Sequence, residues 1–118
     1  MGFMTAAVGV PFGVPFKMVL YPPQVDANLS AQLAQTGTWD VAISEHILAA
    51  MRDAAAARRS RTRSSTGIFL DIGANIGAYT LLAAAHGHRV IAIEPVRTNI
   101  AMLNASLALA ALDERGAL

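Results

Sequence analysis

The residues best suited to chemistry lie in one glycine-rich turn, which we call the glycine loop (residues 71–77). It reads D-I-G-A-N-I-G, with Asp71 two positions before the first glycine. Such a turn lets a ligand approach the backbone, which a side chain at Gly73 or Gly77 would hinder. The N–H groups at the start of a following helix, at the positive end of its dipole, suit a carboxylate or another anionic group. The segment therefore predicts a ligand-binding loop.

A second acidic residue is placed to complete this site. Glu94 comes seventeen residues after Gly77, at the end of an apolar run, and Pro95 follows it. A carboxylate there can accept hydrogen bonds from both hydroxyls of a ribose, and each charge-assisted bond contributes about 1.5–3 kcal/mol. Alone, Glu94 could equally be a solvated strand end. Its position one strand after the loop favours the ribose role.

Periodicity assigns these residues to a β-α-β-α succession. Continuous apolar runs predict buried strands over residues 68–70 and 90–93, and helical spacing predicts helices over 78–85 and 96–112. The second helix is expected to bury Ile100, Leu103, Leu107 and Ala110 on one face. Two such units imply an α/β fold with a parallel sheet and right-handed crossovers. In such sheets ligands bind outside the carboxyl ends of the strands.

Two cofactor classes use this arrangement. A dinucleotide site usually reads G-x-G-x-x-G, but here Asn75 takes the middle position and the third glycine is missing. A methyltransferase loop reads roughly D-x-G-x-x-x-G, and Asp71 fits it. Asp71 would order the loop and meet a cofactor ammonium, or it would be a turn residue bonding nearby backbone N–H groups. An NAD(P)-binding oxidoreductase is therefore the weaker alternative.

A family resemblance supports the first class. Residues 69–80 read F-L-D-I-G-A-N-I-G-A-Y-T and residues 92–95 read A-I-E-P. This pairing resembles the FkbM family of S-adenosylmethionine-dependent methyltransferases. More loosely similar are Asp26, Ile43, Ser44 and the turn over 37–39. The resemblance covers about residues 16–112 and implies a Rossmann-like class I fold that methylates a hydroxyl oxygen, often on a sugar or a polyketide-type natural product. The cofactor-binding residues it implies are Asp71, Gly73, Ala74, Asn75, Gly77 and Glu94.

The resemblance also implies that part of the family's fold is missing. In that family, later strands and helices supply the adenine contact, the substrate pocket and any general base. We therefore expect an incomplete copy, truncated after β-α-β-α, whose catalytic residues are unknown. A non-catalytic relic is the other alternative, and an uncovered sheet edge would permit self-association.

Two regions are predicted: an N-terminal segment (1–66) and a partial S-adenosylmethionine-binding domain (67–118). The first is expected to hold an edge strand over 16–21 ended by two prolines, a short helix from Asn28 ended at Gly37, and a longer helix capped by Asp40. The arginine-rich run after residue 57 indicates a solvated linker more than an anion-binding patch.

Composition limits the classes of binding partner to be expected. A net charge of +1 provides no general attraction to nucleic acid or to a membrane surface. Residues 1–16 lack the basic start of a signal peptide and are too short and broken for a membrane span. The absence of cysteine suits a reducing cytosol, so a cytoplasmic location is predicted. His46, His86 and His88 show no metal-ligand spacing and no partner for catalysis, so no metal is expected, and the expected partner is a small-molecule hydroxyl acceptor.

Overall fold

The structure is a computed structural model that describes residues 2–59 and 67–114, with side chains over 2–57 and 67–110. In chain order the elements are β1 (Met4–Val8), a 3₁₀ helix (Val10–Phe12), β2 (Phe16–Leu20), α1 (Leu29–Thr36), α2 (Val41–Arg59), β3 (Ile68–Ile72), α3 (Ala78–Ala85), β4 (Arg89–Ile93) and α4 (Arg97–Glu114). The described residues form a mixed α/β fold with an antiparallel pair, β1–β2, and a parallel pair, β3–β4.

The antiparallel pair is a hairpin of which only one strand was predicted. β2 confirms the predicted strand, and it pairs with β1 from Met4↔Leu20 to Val8↔Phe16. The connection runs through the 3₁₀ helix between Gly9 and Gly13, which both have a left-handed backbone with φ of 82° and 85°. Pro11 and Pro15 lie in this connection, so the breaks in the apolar run mark a turn.

The two N-terminal helices are confirmed. α1 ends at Gly37, whose φ is 69° and whose N–H donates to the Leu33 carbonyl. Asp40 caps α2, because its side chain accepts the Ile43 N–H at 3.1 Å. α2 continues to Arg59, and residues 60–66 of the predicted linker lie outside the described residues.

The parallel pair is confirmed, but the predicted burial of its strands is wrong. β3 and β4 are in register from Ile68↔Arg89 to Ile72↔Ile93, and α3 follows the predicted bounds. However, Leu70 and Ile91 are each 52% exposed and Ile72 is 73% exposed. α3 contacts both strands, whereas one side of the pair remains open to solvent. We call this side the open face (Leu70, Ile72, Ile91 and Ile93).

α4 is also confirmed, but the predicted buried face is partly wrong. Leu103 is buried as expected, whereas Ile100 and Leu107 are exposed. The helix turns Met102, Leu103 and Ser106 inward against β2. The Ser106 hydroxyl oxygen accepts the Val19 N–H at 2.9 Å, and the Tyr21 hydroxyl donates to Asn99 at 2.9 Å. The buried side of this helix includes polar side chains that hydrogen-bond a strand edge. A prediction based on the spacing of apolar residues does not find such a side.

One hydrophobic cluster draws on both predicted regions. Its buried members are Val8, Met18, Leu20, Leu29, Leu33, Ile76, Ala78, Leu81, Met102 and Leu103. The hairpin and α1 therefore share a core with the glycine loop, α3 and α4, which fixes the position of α1 relative to the loop. Over the described residues, no helix is long and apolar enough to cross a membrane.

Candidate functional site

The glycine loop is anchored to the carboxyl end of β4. The Gly73 and Ala74 N–H groups both donate to the Ile93 carbonyl, at 2.8 and 3.0 Å, and the Gly77 N–H donates to the Ala74 carbonyl at 2.9 Å. Because β3 and β4 are parallel neighbours, the loop after one strand meets the end of the other. The structure thus brings Gly73, Ala74 and Asn75 next to the segment that carries Glu94.

Glu94 braces this loop. One of its carboxylate oxygens accepts the Asn75 N–H at 2.7 Å, and the other accepts the Val96 N–H at 2.9 Å. The bond from Val96 does most to hold the pKa of Glu94 below its ordinary value, helped by Asn75 and Asn99 and opposed by slight burial. The carboxylate is therefore ionised at neutral pH. Each oxygen still has a second lone pair, so bonds to a ribose remain a prediction that this geometry permits.

Glycine is required at the two ends of the loop for different structural reasons. Gly73 has φ of +80°, and a Cβ there would meet nothing within 4 Å. Gly77 has φ of +97°, and its Cβ would lie 2.3 Å from Leu103 Cδ1. Gly73 therefore faces open space, as the prediction of ligand approach requires. Gly77 instead permits the close packing of α3 on α4, which the sequence argument missed.

Asn75 is also left-handed, with φ of 55°. Asparagine tolerates this conformation better than most residues other than glycine. Its backbone N–H donates a hydrogen bond to the Glu94 carboxylate, and its side chain is exposed. Asn75 thus has a clear local role, and contact with a cofactor stays a prediction.

Asp71 is buried behind the loop. Its carboxylate accepts the Thr80 hydroxyl at 2.6 Å, which ties the end of β3 to the first turn of α3. This bond fits the predicted loop-ordering role through a side-chain partner. The predicted contact with a cofactor ammonium is not tested, and Asp71 does not line the cleft described next.

A cleft of about 710 Å³ separates the glycine loop from α1. Gly73, Ala74 and Asn75 line one side of it. The facing side carries Asp26, Asn28, Gln32 and Gln35, and the aromatic side chains are Trp39 and Tyr79. Its volume lies within the range of about 300–1,000 Å³ that is typical of small-molecule sites. The described lining contains one carboxylate, that of Asp26, and no lysine, arginine or histidine.

Asp26 bonds the N–H groups at the start of α1, whose N-cap residue is Asn28. Its Oδ1 accepts the N–H groups of Asn28 and Leu29 at 3.1 and 3.2 Å, and its Oδ2 accepts the Ser30 N–H at 2.8 Å. Burial acts to raise the pKa of Asp26, but these hydrogen bonds outweigh it and the pKa is lowered. The helix was predicted to start at Asn28, with no such role for Asp26. An aspartate three residues before the first residue of the helix was the signal.

Trp39 and Tyr79 form a linked pair beside the loop. The Ser44 hydroxyl donates to the Trp39 carbonyl at 2.7 Å, and the Trp39 side chain hydrogen-bonds the Tyr79 hydroxyl. Burial, followed by the charges of Asp40 and Asp71, raises the pKa of Tyr79 despite the Trp39 bond. Tyr79 is therefore a neutral phenol. Neither residue was predicted to belong to the site, although Tyr79 directly follows the loop in the first turn of α3.

The histidines lie away from this cleft. The His86 ring nitrogens contact the carbonyls of Leu82 and Phe12 at 2.9 and 3.2 Å, so the ring connects α3 to the hairpin turn. His46 is exposed on α2. Burial and the neighbouring His86 lower the pKa of His88. Within residues 2–57 and 67–110, no group of three or more metal-binding side chains comes together.

No protein family matches this chain, and comparisons with curated proteins and with solved structures give no match either.

Proposed function

We propose that the glycine loop binds S-adenosylmethionine and that β3–α3–β4–α4 is part of a Rossmann-like class I methyltransferase that methylates a hydroxyl of a small molecule. One observation carries the proposal. The loop lies at the carboxyl ends of two parallel strands, is braced there by Glu94, and opens onto a cleft of small-molecule size. Ligands of open α/β sheets bind at this position.

The charge of the cleft supports this cofactor over a dinucleotide. S-adenosylmethionine carries a sulfonium and an ammonium, whereas a dinucleotide carries a pyrophosphate. The described lining has the Asp26 carboxylate and no basic side chain, so it favours a ligand with cationic groups. The faces of Trp39 and Tyr79 in the same cleft can also attract a cation.

Different residues of the chain would bind different parts of the cofactor. Gly73 leaves room at the backbone, and the first turn of α3 offers N–H groups at its positive dipole end to a carboxylate. The free lone pairs of Glu94 suit ribose hydroxyls. When bound, S-adenosylmethionine supplies a methyl group on a positively charged sulfur. Holding the acceptor oxygen in line with that bond would provide most of the catalysis, with a base taking the hydroxyl proton.

Calorimetric titration of S-adenosylhomocysteine and of NAD into the purified chain tests the cofactor assignment. We expect saturable binding of S-adenosylhomocysteine alone, weakened at least tenfold by Glu94→Ala because the ribose acceptor and the loop brace are both lost. Glu94→Gln, which keeps one accepting oxygen, should give an intermediate affinity. Glu45→Ala on the exposed side of α2 is the matched control and should bind as the parent does.

Binding of NAD without S-adenosylhomocysteine would replace this proposal by the oxidoreductase alternative. Equal affinity of the parent and Glu94→Ala, with both folded by circular dichroism, would remove Glu94 from the site. Methyl transfer is tested separately, by release of S-adenosylhomocysteine in the presence of sugar and phenolic alcohols.

A further inference from the structure

The two sides of the β3–β4 pair differ in what covers them. α3 packs against the pair on one side. On the other side, register places Leu70 beside Ile91 and Ile72 beside Ile93, and all four side chains of the open face are more than half exposed. Parallel sheets are normally covered on both sides, so this arrangement leaves apolar surface that another layer would cover.

The open face continues at one end. Ile68 alternates onto the same side as Leu70 and Ile72, and it is about half exposed. Arg89, paired with Ile68, is the charged residue at this end. Together the open face and Ile68 leave on the order of 500 Å² of apolar surface uncovered, which is toward the upper end of the largest apolar patch on a typical monomer, and such patches are often functional.

We propose that the open face packs against the open face of a second copy of this chain, forming a two-fold symmetric dimer. A two-fold axis places the same patch on both partners, so the patch must be compatible with itself. The four residues of the open face are uncharged, so self-contact opposes no like charges there.

The charge at the amino end of β4 favours one orientation of the two copies. Arg89 alternates onto the same side of the strand as Ile91, whereas the Glu94 carboxylate is held at the glycine loop. When two sheets stack face to face with their strands running in opposite directions, the amino end of one strand lies over the carboxyl end of the other. Arg89 of each copy then lies over the apolar carboxyl end of the other copy's strand, away from the other Arg89. Keeping these two like charges apart favours the antiparallel orientation.

The size of the face limits the area that the contact can bury. Two such patches bury about 1,000 Å² in total, which is the lower limit for specific interfaces. An interface at this limit is typical of transient association, so we expect a reversible dimer and not a permanent assembly.

Sedimentation velocity across the micromolar range, without cofactor, tests this proposal independently of the proposed function. We expect a reversible monomer–dimer equilibrium. Ile72→Lys should shift it at least tenfold toward monomer, because each copy would place a charge in the contact. Ile43→Lys, at another exposed isoleucine that lies on α2, is the matched control and should leave the dimer intact.

Three results would overturn the proposal. They are a parent chain that stays monomeric throughout, equal loss of the dimer in both lysine variants, and unlimited growth to larger species that Ile72→Lys does not change. The last result would indicate pairing along strand edges. Ile91→Lys provides a second probe of the open face if Ile72→Lys does not give a folded chain by circular dichroism.

Discussion

The hairpin and the parallel pair are both two-stranded sheets, but they differ in the burial of their apolar side chains. Met18 and Leu20 of β2 are fully buried, whereas Leu70 and Ile72 of β3 are exposed. The hairpin is covered because α4 packs on it and Ser106 bonds its edge. The open face has no such layer among the described residues. The apolar content of a strand therefore does not decide its burial, which depends on whether a helix fits against it.

The largest expected effect comes from truncating the same side chain in each sheet. Leu20→Ala should lower the free energy of unfolding by about 2–5 kcal/mol, because it leaves a cavity in the shared core. Leu70→Ala should cost less than about 1 kcal/mol, because the side chain is already half in water. Urea unfolding at low protein concentration measures both. Similar losses would mean that the open face is covered in solution.

A second effect separates the two glycines of the loop. Gly77→Ala should lower the free energy of unfolding by about 2–4 kcal/mol, because it combines a strained positive φ with crowding against Leu103. Gly73→Ala should cost only about 1–2 kcal/mol, the strain alone, since its Cβ would enter open space. Thermal unfolding compares the pair. The reverse order would contradict the packing of α3 on α4 described above.

A smaller effect is expected when the hydrogen bond between α4 and the edge of the hairpin is removed. Ser106→Ala removes the acceptor of the Val19 N–H and should cost about 1–2 kcal/mol, because a backbone donor loses its partner. Asn104→Ala, two positions away on the exposed side of α4, is the control and should change stability by about 0.5 kcal/mol or less. Chemical unfolding of both variants provides the comparison. Equal stability of Ser106→Ala and the control would show that the edge bond contributes nothing.

The smallest effect is a dependence on pH at the loop. The pKa of Glu94 is below its ordinary value of 4.5 in the folded chain. Its contribution to stability is therefore complete above about pH 4.5 and is lost as the pH falls through the folded pKa. Glu94→Gln should be less stable than the parent at neutral pH, and the difference should shrink on acidification. A difference that stays constant with pH would contradict the bracing role.

Local signals in the sequence predicted most elements. Gly37 and Asp40 marked helix ends, and the continuous apolar runs located β3 and β4. The loop and Glu94 were expected to be neighbours because adjacent parallel strands end at one edge, and the Asn75 bond joins them. These features depend on residues close together in the chain or on one topological rule.

Features that depend on distant partners were missed. β1 could not be recognised because its partner strand lies beyond a turn interrupted by prolines. The buried stripe of α4 includes Ser106. This polar residue is buried because its hydroxyl oxygen accepts the Val19 N–H of the hairpin. The cleft was not predicted, because Asp26 and Trp39 approach the loop only through the shared core. No local periodicity reports such contacts.

The bond between Val19 and Ser106 joins residues 87 positions apart. Contacts of such long sequence separation slow folding, because a large loop must close before they form. During synthesis the hairpin emerges before α4, so the Val19 N–H that Ser106 later bonds remains without this partner until α4 has been made. Until then the nascent chain carries an exposed strand edge, which makes this interval vulnerable to aggregation.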